Sequence, residues 1–128
     1  MLVVDDHLDT ADMLCVELEM QGHDCRSALL GAEGLALAES FDPHVVILDI
    51  GLPDMTGHEV ARELRRREEA RRRVIVALTA SARPEDRAHA LATSFDGYLV
   101  KPVAVATLRH VMNRARAGTG IAQITAFR

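Results

Sequence analysis

Two near-continuous apolar runs, HVVIL at 44–48 and VIVAL at 74–78, constrain the fold of this chain more than any other feature. A strand with one face in water alternates apolar and polar residues. An unbroken run fits a central parallel strand covered on both faces. Parallel neighbours need a crossover between them, usually a helix, and the intervening segments supply such helices. A short β-branched run covers 2–5, and from Leu8 apolar residues recur at Ala11, Leu14, Cys15 and Leu18. That spacing predicts a helix, with Gly22 as its C-terminal cap. A weaker strand over 24–28 precedes a second helix carried by Ala32, Leu35, Ala36 and Glu39. Thr56 with Glu59 predicts a capping box for a third helix, with Val60, Ala61 and Leu64 facing inward. Pro84-Glu85-Asp86 suits the first turn of a fourth. A strand at 97–100 and a helix over about 104–116 complete the pattern.

Five βα units predict an α/β fold, a doubly wound five-stranded parallel sheet with right-handed crossovers. The weak second strand belongs at an edge, so the expected order is 2-1-3-4-5. Ligands bind such sheets beyond the carboxyl ends of the strands, where the strand order reverses. The residues at those ends are therefore the candidates for chemistry.

At 128 residues the chain is long enough for one domain, expected over 1–116, with 117–128 (AGTGIAQITAFR) as a tail or linker stub. The net charge of −4 argues against a nucleic-acid binder. RRREEARRR at 65–73 interleaves Glu68 and Glu69 with arginine at a helix end and reads as a solvated face. No apolar run approaches the roughly 20 residues of a membrane span, and no signal-peptide pattern precedes the domain. Cys15 and Cys25 lack metal-ligand spacing and fall on predicted apolar faces, so reduced core thiols and a cytoplasmic location are expected. The first strand begins almost at Met1, as in a chain cut from a longer protein or lacking a few upstream residues.

Each of four apolar runs ends on a residue that phosphoryl chemistry can use. LVVDD ends on Asp5 and Asp6, HVVILD on Asp49, VIVALT on Thr79, and GYLVKP carries Lys101 and Pro102. Lys101 is the only lysine beside fourteen arginines, which points to a need for a compact ammonium rather than a planar fork. Three carboxylates about 4 Å apart would repel by roughly 4 kcal/mol per pair at an effective dielectric near 20. A hard divalent cation such as Mg²⁺ offsets that repulsion, binding through carboxylates and phosphate oxygens. Asp49 stands alone at its strand end and is assigned as nucleophile toward phosphorus. Asp5 and Asp6 are assigned as metal carboxylates, with the Gly51 carbonyl as a further ligand. Thr79 and Lys101 then contact the phosphoryl oxygens. His7 reads as a rim residue at a helix start, and the other five histidines are scattered and imply no zinc site.

LVVDD, ILDIGLPDMTG, VIVALTA and FDGYLVKPV, in this order at these strand ends, resemble the CheY-like receiver domain of two-component response regulators over about residues 2–116. The resemblance implies a flavodoxin-like (βα)5 fold and a regulatory rather than enzymatic role, in which Asp49 accepts a phosphoryl group from a histidine kinase or histidine phosphotransfer domain. It implies Mg²⁺ held by Asp6, Asp49 and the Gly51 carbonyl, with Asp5 acting mainly through water. Phosphoryl contacts are implied for Thr79, Ala80 and Lys101, and a cis Lys101-Pro102 bond. Thr79 and Tyr98 are the implied switch, read out on the face of the fourth helix, fifth strand and fifth helix, with a phosphorylation-dependent dimer as one outcome. Ser94 stands where receivers often have glycine, and a left-handed conformation there would cost the serine about 1 kcal/mol. Gly51 brings no side chain to shield the acyl phosphate, so its lifetime should change when Gly51 is replaced by a larger polar residue.

The alternative is a Mg²⁺-dependent phosphatase of the haloacid-dehalogenase kind, which also uses an aspartate nucleophile, a hydroxyl and a lysine. Those enzymes place the nucleophile on the first strand in a DxD arrangement, and here Asp49 falls on the third. An interaction-only pseudo-receiver is a third reading, and the full acceptor set argues against it. Output, cognate kinase and stimulus have no signature in the chain.

Overall fold

A computed structural model describes residues 1–67 and 73–117. Glu68 and Glu69 of the arginine-rich run, and the tail from 118, lie outside the described residues. Five strands alternate with five helices: β1 (Leu2–Val4), α1 (Leu8–Met20), β2 (Arg26–Ala28), α2 (Gly31–Phe41), β3 (Val45–Asp49), α3 (Gly57–Arg66), β4 (Val74–Thr79), α4 (Pro84–Ala92), β5 (Gly97–Val100) and α5 (Val105–Ala117). All pairings are parallel, in the order β2-β1-β3-β4-β5. The doubly wound sheet expected from the apolar runs is the one observed.

Successive strand residues point to opposite faces, and the buried residues separate accordingly. Val3, Val45, Ile47, Val76, Leu78 and Leu99 pack with Ala11, Leu14 and Leu18 of α1 and Leu108 and Val111 of α5. Val4, Val46, Leu48, Ile75, Ala77 and Tyr98 pack on the other face with Val60, Ala61 and Leu64 of α3 and Ala90 of α4. The Thr56–Glu59 capping box forms as expected, the Glu59 amide donating to Thr56 Oγ1 at 3.1 Å. Gly22 takes a positive φ of 91° just past α1, the conformation that favours glycine there.

Four local expectations are corrected. Leu8 is 55% exposed, because the buried stripe of α1 starts at Ala11. In α2 the residues turned inward are Gly31, Gly34 and Ala38, whereas Ala32, Ala36 and Glu39 are exposed and Leu35 is partly buried. The helix lies so close to the sheet that a Cβ on Gly34 would stand 2.8 Å from Val4 Cγ2. Absent side chains make this contact, so an apolar-residue pattern misses it. Cys15 and Cys25 are buried as expected but are joined as a disulfide, with Cα atoms 5.5 Å apart, because the inner face of α1 abuts the start of β2. The cysteines therefore do not speak for a reducing compartment. Ser94 does not adopt a left-handed conformation, a positive φ outside glycine occurring among the described residues at Asp42. Instead the Thr93 hydroxyl donates to the Ala90 carbonyl, and the Ser94 carbonyl accepts from Arg65 Nε and Nη2 at 3.0 and 2.8 Å.

Arg65 also pairs with Asp96, which is only 8% exposed and whose Oδ2 accepts the Ile75 amide at 2.9 Å. This carboxylate ties α3 to the entrance of β4 and β5. Removing one partner of a buried ion pair strands the other, at about 3–5 kcal/mol. Asp96→Ala is expected to fall toward the lower end of that range in urea denaturation, with Asp96→Asn less affected because its amide oxygen still accepts from Ile75. A loss under about 0.5 kcal/mol, the scale of ordinary surface changes, would show that the contact carries no structural weight.

Candidate functional site

Sheet register brings the chemistry-bearing residues to one rim. Val4 pairs with Leu48, Asp49 with Leu78, and Thr79 with Val100. Asp5 and Asp6 follow β1, Asp49 ends β3, Thr79 ends β4 and Lys101 follows β5. Backbone bonds continue past the strand ends, Asp5 N–H to Ala28 O at 3.0 Å, Ile50 N–H to Leu78 O at 3.1 Å and Lys101 N–H to Thr79 O at 2.7 Å. These bonds fix where each side chain departs from the sheet.

Lys101 Nζ sits between two buried carboxylates, 2.9 Å from Asp5 Oδ2 and 3.2 Å from Asp49 Oδ2. Asp5 is fully buried and Asp49 is 6% exposed. The remaining oxygens are anchored by amides: Asp5 Oδ1 accepts from His7 N–H at 2.9 Å, and Asp49 Oδ1 from Gly51 N–H at 3.0 Å. Burial opposes ionisation of Asp5, yet the His7 amide and Lys101 together outweigh it and hold its carboxyl below the usual range. At Asp49 burial wins over the Gly51 amide and Lys101, with the charge of Asp5 adding to it, so its carboxyl is raised. Burial likewise opposes the Lys101 charge, but both aspartates overcome it and its ammonium is held above the usual range. The Lys101-Pro102 peptide is cis.

Asp6 stands at the mouth, its side chain 33% exposed. One oxygen each from Asp5, Asp6 and Asp49 and a ring nitrogen of His7 all lie within 4.8 Å of one another. At that separation a pair of carboxylates repels by roughly 3–4 kcal/mol at an effective dielectric of about 20. One ammonium cannot neutralise three such groups. The donor set, hard oxygens open to solvent on one side, fits a divalent cation of the Mg²⁺ kind. His7 is exposed as expected of a rim residue, but its Nδ1 lies 3.2 Å from Asp5 and 3.3 Å from Asp6.

Thr79 and Ala80 flank the site on the β4 side, Ala80 exposed. Thr79 Oγ1 accepts the Ser81 amide at 3.1 Å, and the Ser81 carbonyl accepts the Tyr98 hydroxyl at 2.8 Å. Tyr98 is only 1% exposed, so its ring lies inside the protein. A cleft of about 200 Å³ beside it is lined by Ile50, His58, Thr79, Asp86, His89 and Tyr98. His58 and His89, scattered in the sequence, meet there with ring centroids 4.8 Å apart. No spacing rule reveals such a pair, because the two rings come from different helices.

Comparison with known proteins gives one consistent family. A family model described as response regulator receiver domain matches residues 1–113. Protein PilH of Pseudomonas aeruginosa is 32% identical over 117 residues, covering 91% of this chain and 97% of PilH. The DNA-binding dual master transcriptional regulator RpaA of Synechocystis is 35% identical over 101 residues, covering 79% of this chain and 42% of RpaA. The chain thus spans less than half of RpaA, though nearly all of PilH. The crystal structure of chemotaxis protein CheY4 of Vibrio cholerae superposes with a TM-score of 0.83 at 32% identity, covering 89% of this chain and 95% of CheY4. The phosphatase alternative finds no support in these matches. Among the described residues, no helix is long and apolar enough to cross a membrane.

Proposed function

The chain belongs to the response-regulator receiver family, and from that premise we propose that Asp49 is its phosphoacceptor, loaded from a phosphohistidine on a histidine kinase or phosphotransfer domain in the cytoplasm. The domain is a phosphoacceptor signalling module with a regulatory role. The observation that carries the assignment is Asp49 itself: a buried carboxylate with one oxygen anchored on the Gly51 amide and the other beside Lys101. A carboxylate oxygen of Asp49 attacks phosphorus, the P–N bond to the donor imidazole breaks, and the imidazole leaves with its electron pair and takes up a proton. The product is an acyl phosphate on Asp49.

Mg²⁺ held by Asp6, Asp49 and the Gly51 carbonyl, with Asp5 acting mainly through water, would neutralise charge at the transferred group. Lys101 is placed to leave its ion pair with Asp49 for a phosphoryl oxygen, retaining Asp5 as its anchor. Thr79 donates to a second phosphoryl oxygen, with the exposed Ala80 beside it. When its hydroxyl turns to the phosphoryl group, the Ser81 amide loses its acceptor and the Tyr98 hydroxyl loses a fixed carbonyl. That coupling supports a switch reaching from the site to α4 and β5. Moving a two-state equilibrium from 1:99 to 99:1 takes about 5.5 kcal/mol, to which charge-assisted bonds to Thr79 and Lys101 contribute.

Incubation with acetyl phosphate and Mg²⁺ followed by intact-mass measurement tests this function. One phosphoryl addition is expected, absent when the metal is chelated. Uptake undiminished by chelation would remove the acidic cluster from the reaction, and rapid turnover of p-nitrophenyl phosphate would return the phosphatase reading.

A further inference from the structure

The cleft behind Thr79 holds a second constellation that phosphoryl transfer leaves unused. His58 lies in the first turns of α3 and His89 in the last turn of α4, so their rings bridge two helices. Phe95 packs edge-on against His58 at 5.3 Å and 85°, holding that ring at the cleft wall. Asp86 lies three residues before His89 on α4, and both line the cleft.

We propose that His58 and His89 form a second metal site, selective for late divalent transition ions such as Ni²⁺ or Zn²⁺, with water completing the coordination. The ring separation leaves room for an ion between the two imidazoles. With metal–nitrogen distances of about 2.0–2.1 Å, two imidazoles on one tetrahedral ion stand with centroids about 5 Å apart. The observed separation is 4.8 Å. Imidazole donors favour such ions, whereas the acidic rim favours oxygen-seeking Mg²⁺. Burial, then the neighbouring His89 and Arg62, keep His58 less basic than usual, which leaves its ring neutral and able to ligate near pH 7. Asp86 Oδ2, on the same cleft wall, is already engaged by the Ser81 hydroxyl at 2.6 Å and by Arg83 Nε at 3.8 Å. An ion there would fasten α4 to α3 beside Thr79 and Tyr98. On the phosphoacceptor reading above it would therefore oppose movement of the β4–α4 connection, but ion binding itself does not depend on that reading.

Calorimetric titration of Ni²⁺ into the full chain, with Mg²⁺ in excess to occupy the acidic rim, separates the two sites. One Ni²⁺ equivalent is expected to bind, at least tenfold more weakly in both His58→Gln and His89→Gln. His7→Gln should retain it. His89 is exposed, so its variant is expected to fold normally, and circular dichroism of the metal-free proteins checks both. Wild-type Ni²⁺ affinity in His89→Gln, or loss of the binding step in His7→Gln instead, would overturn the proposal.

Discussion

Asp49→Asn is expected to take up no phosphoryl group from acetyl phosphate where the parent chain takes up one. An amide offers no anionic oxygen to attack phosphorus, and neither Asp5 nor Asp6 can substitute. Asp5 is fully buried with both oxygens committed, to Lys101 and to the His7 amide, and Asp6 stands at the mouth beside His7. The same substitution is expected to raise metal-free stability, because it removes the cost of holding a buried carboxylate ionised. The sign follows from linkage. Burial raises the Asp49 carboxyl, so its ionised form costs stability above its folded pKa, and that cost is relieved as pH falls. Asparagine relieves it at every pH. Residual phosphorylation of the variant would move the acceptor elsewhere, and a lower melting temperature without metal would contradict the charge account.

Lys101→Ala acts in the opposite direction. Its ammonium is the cation within 3.2 Å of both buried aspartates, and removing it leaves Asp5 and Asp49 facing each other uncompensated. Breaking a buried pair from one side costs about 3–5 kcal/mol, and that loss is expected near neutral pH. The pH dependence changes with it. In the parent chain Asp5 is depressed, so its contribution is present above its unfolded pKa and is lost as pH falls through the folded value. In the variant both carboxyls lose the ammonium that favours their charged forms and move upward from their parent values, so its folded state binds more protons than the parent's and the deficit grows as pH rises. The deficit should therefore narrow between about pH 7 and about pH 5, above the unperturbed carboxyl range. Lys101→Arg restores the charge but not the compact geometry and should recover only part. Chemical denaturation of the three proteins at both pH values measures this, and a deficit independent of pH would exclude the electrostatic origin.

The strands and the rim were legible because both are local signals. VVILD and VIVALT announce buried strands through unbroken apolar runs, and the residue ending each is already at the ligand-binding edge. The Thr56–Glu59 box is equally local. What escaped depends on partners distant in sequence or on missing atoms. Gly31 and Gly34 pack α2 through absent side chains, Cys15 and Cys25 meet only once α1 lies along β2, and Asp96 finds Arg65 across 31 residues. His58 and His89 belong to the same class, since α3 and α4 must first flank β4 before the rings meet. Lys101 was legible for a compositional reason: a lone lysine in an arginine-rich chain marks a place where ammonium geometry matters.

Chemical trapping of the acyl phosphate tests the central claim most directly. Borohydride reduces an aspartyl phosphate to homoserine, marking the acceptor in the peptide chain. After loading with acetyl phosphate and Mg²⁺, peptide mass spectrometry should find homoserine at position 49 and at no other aspartate. Homoserine at position 5 or 6, or phosphate stable to borohydride on a hydroxyl or histidine, would contradict it.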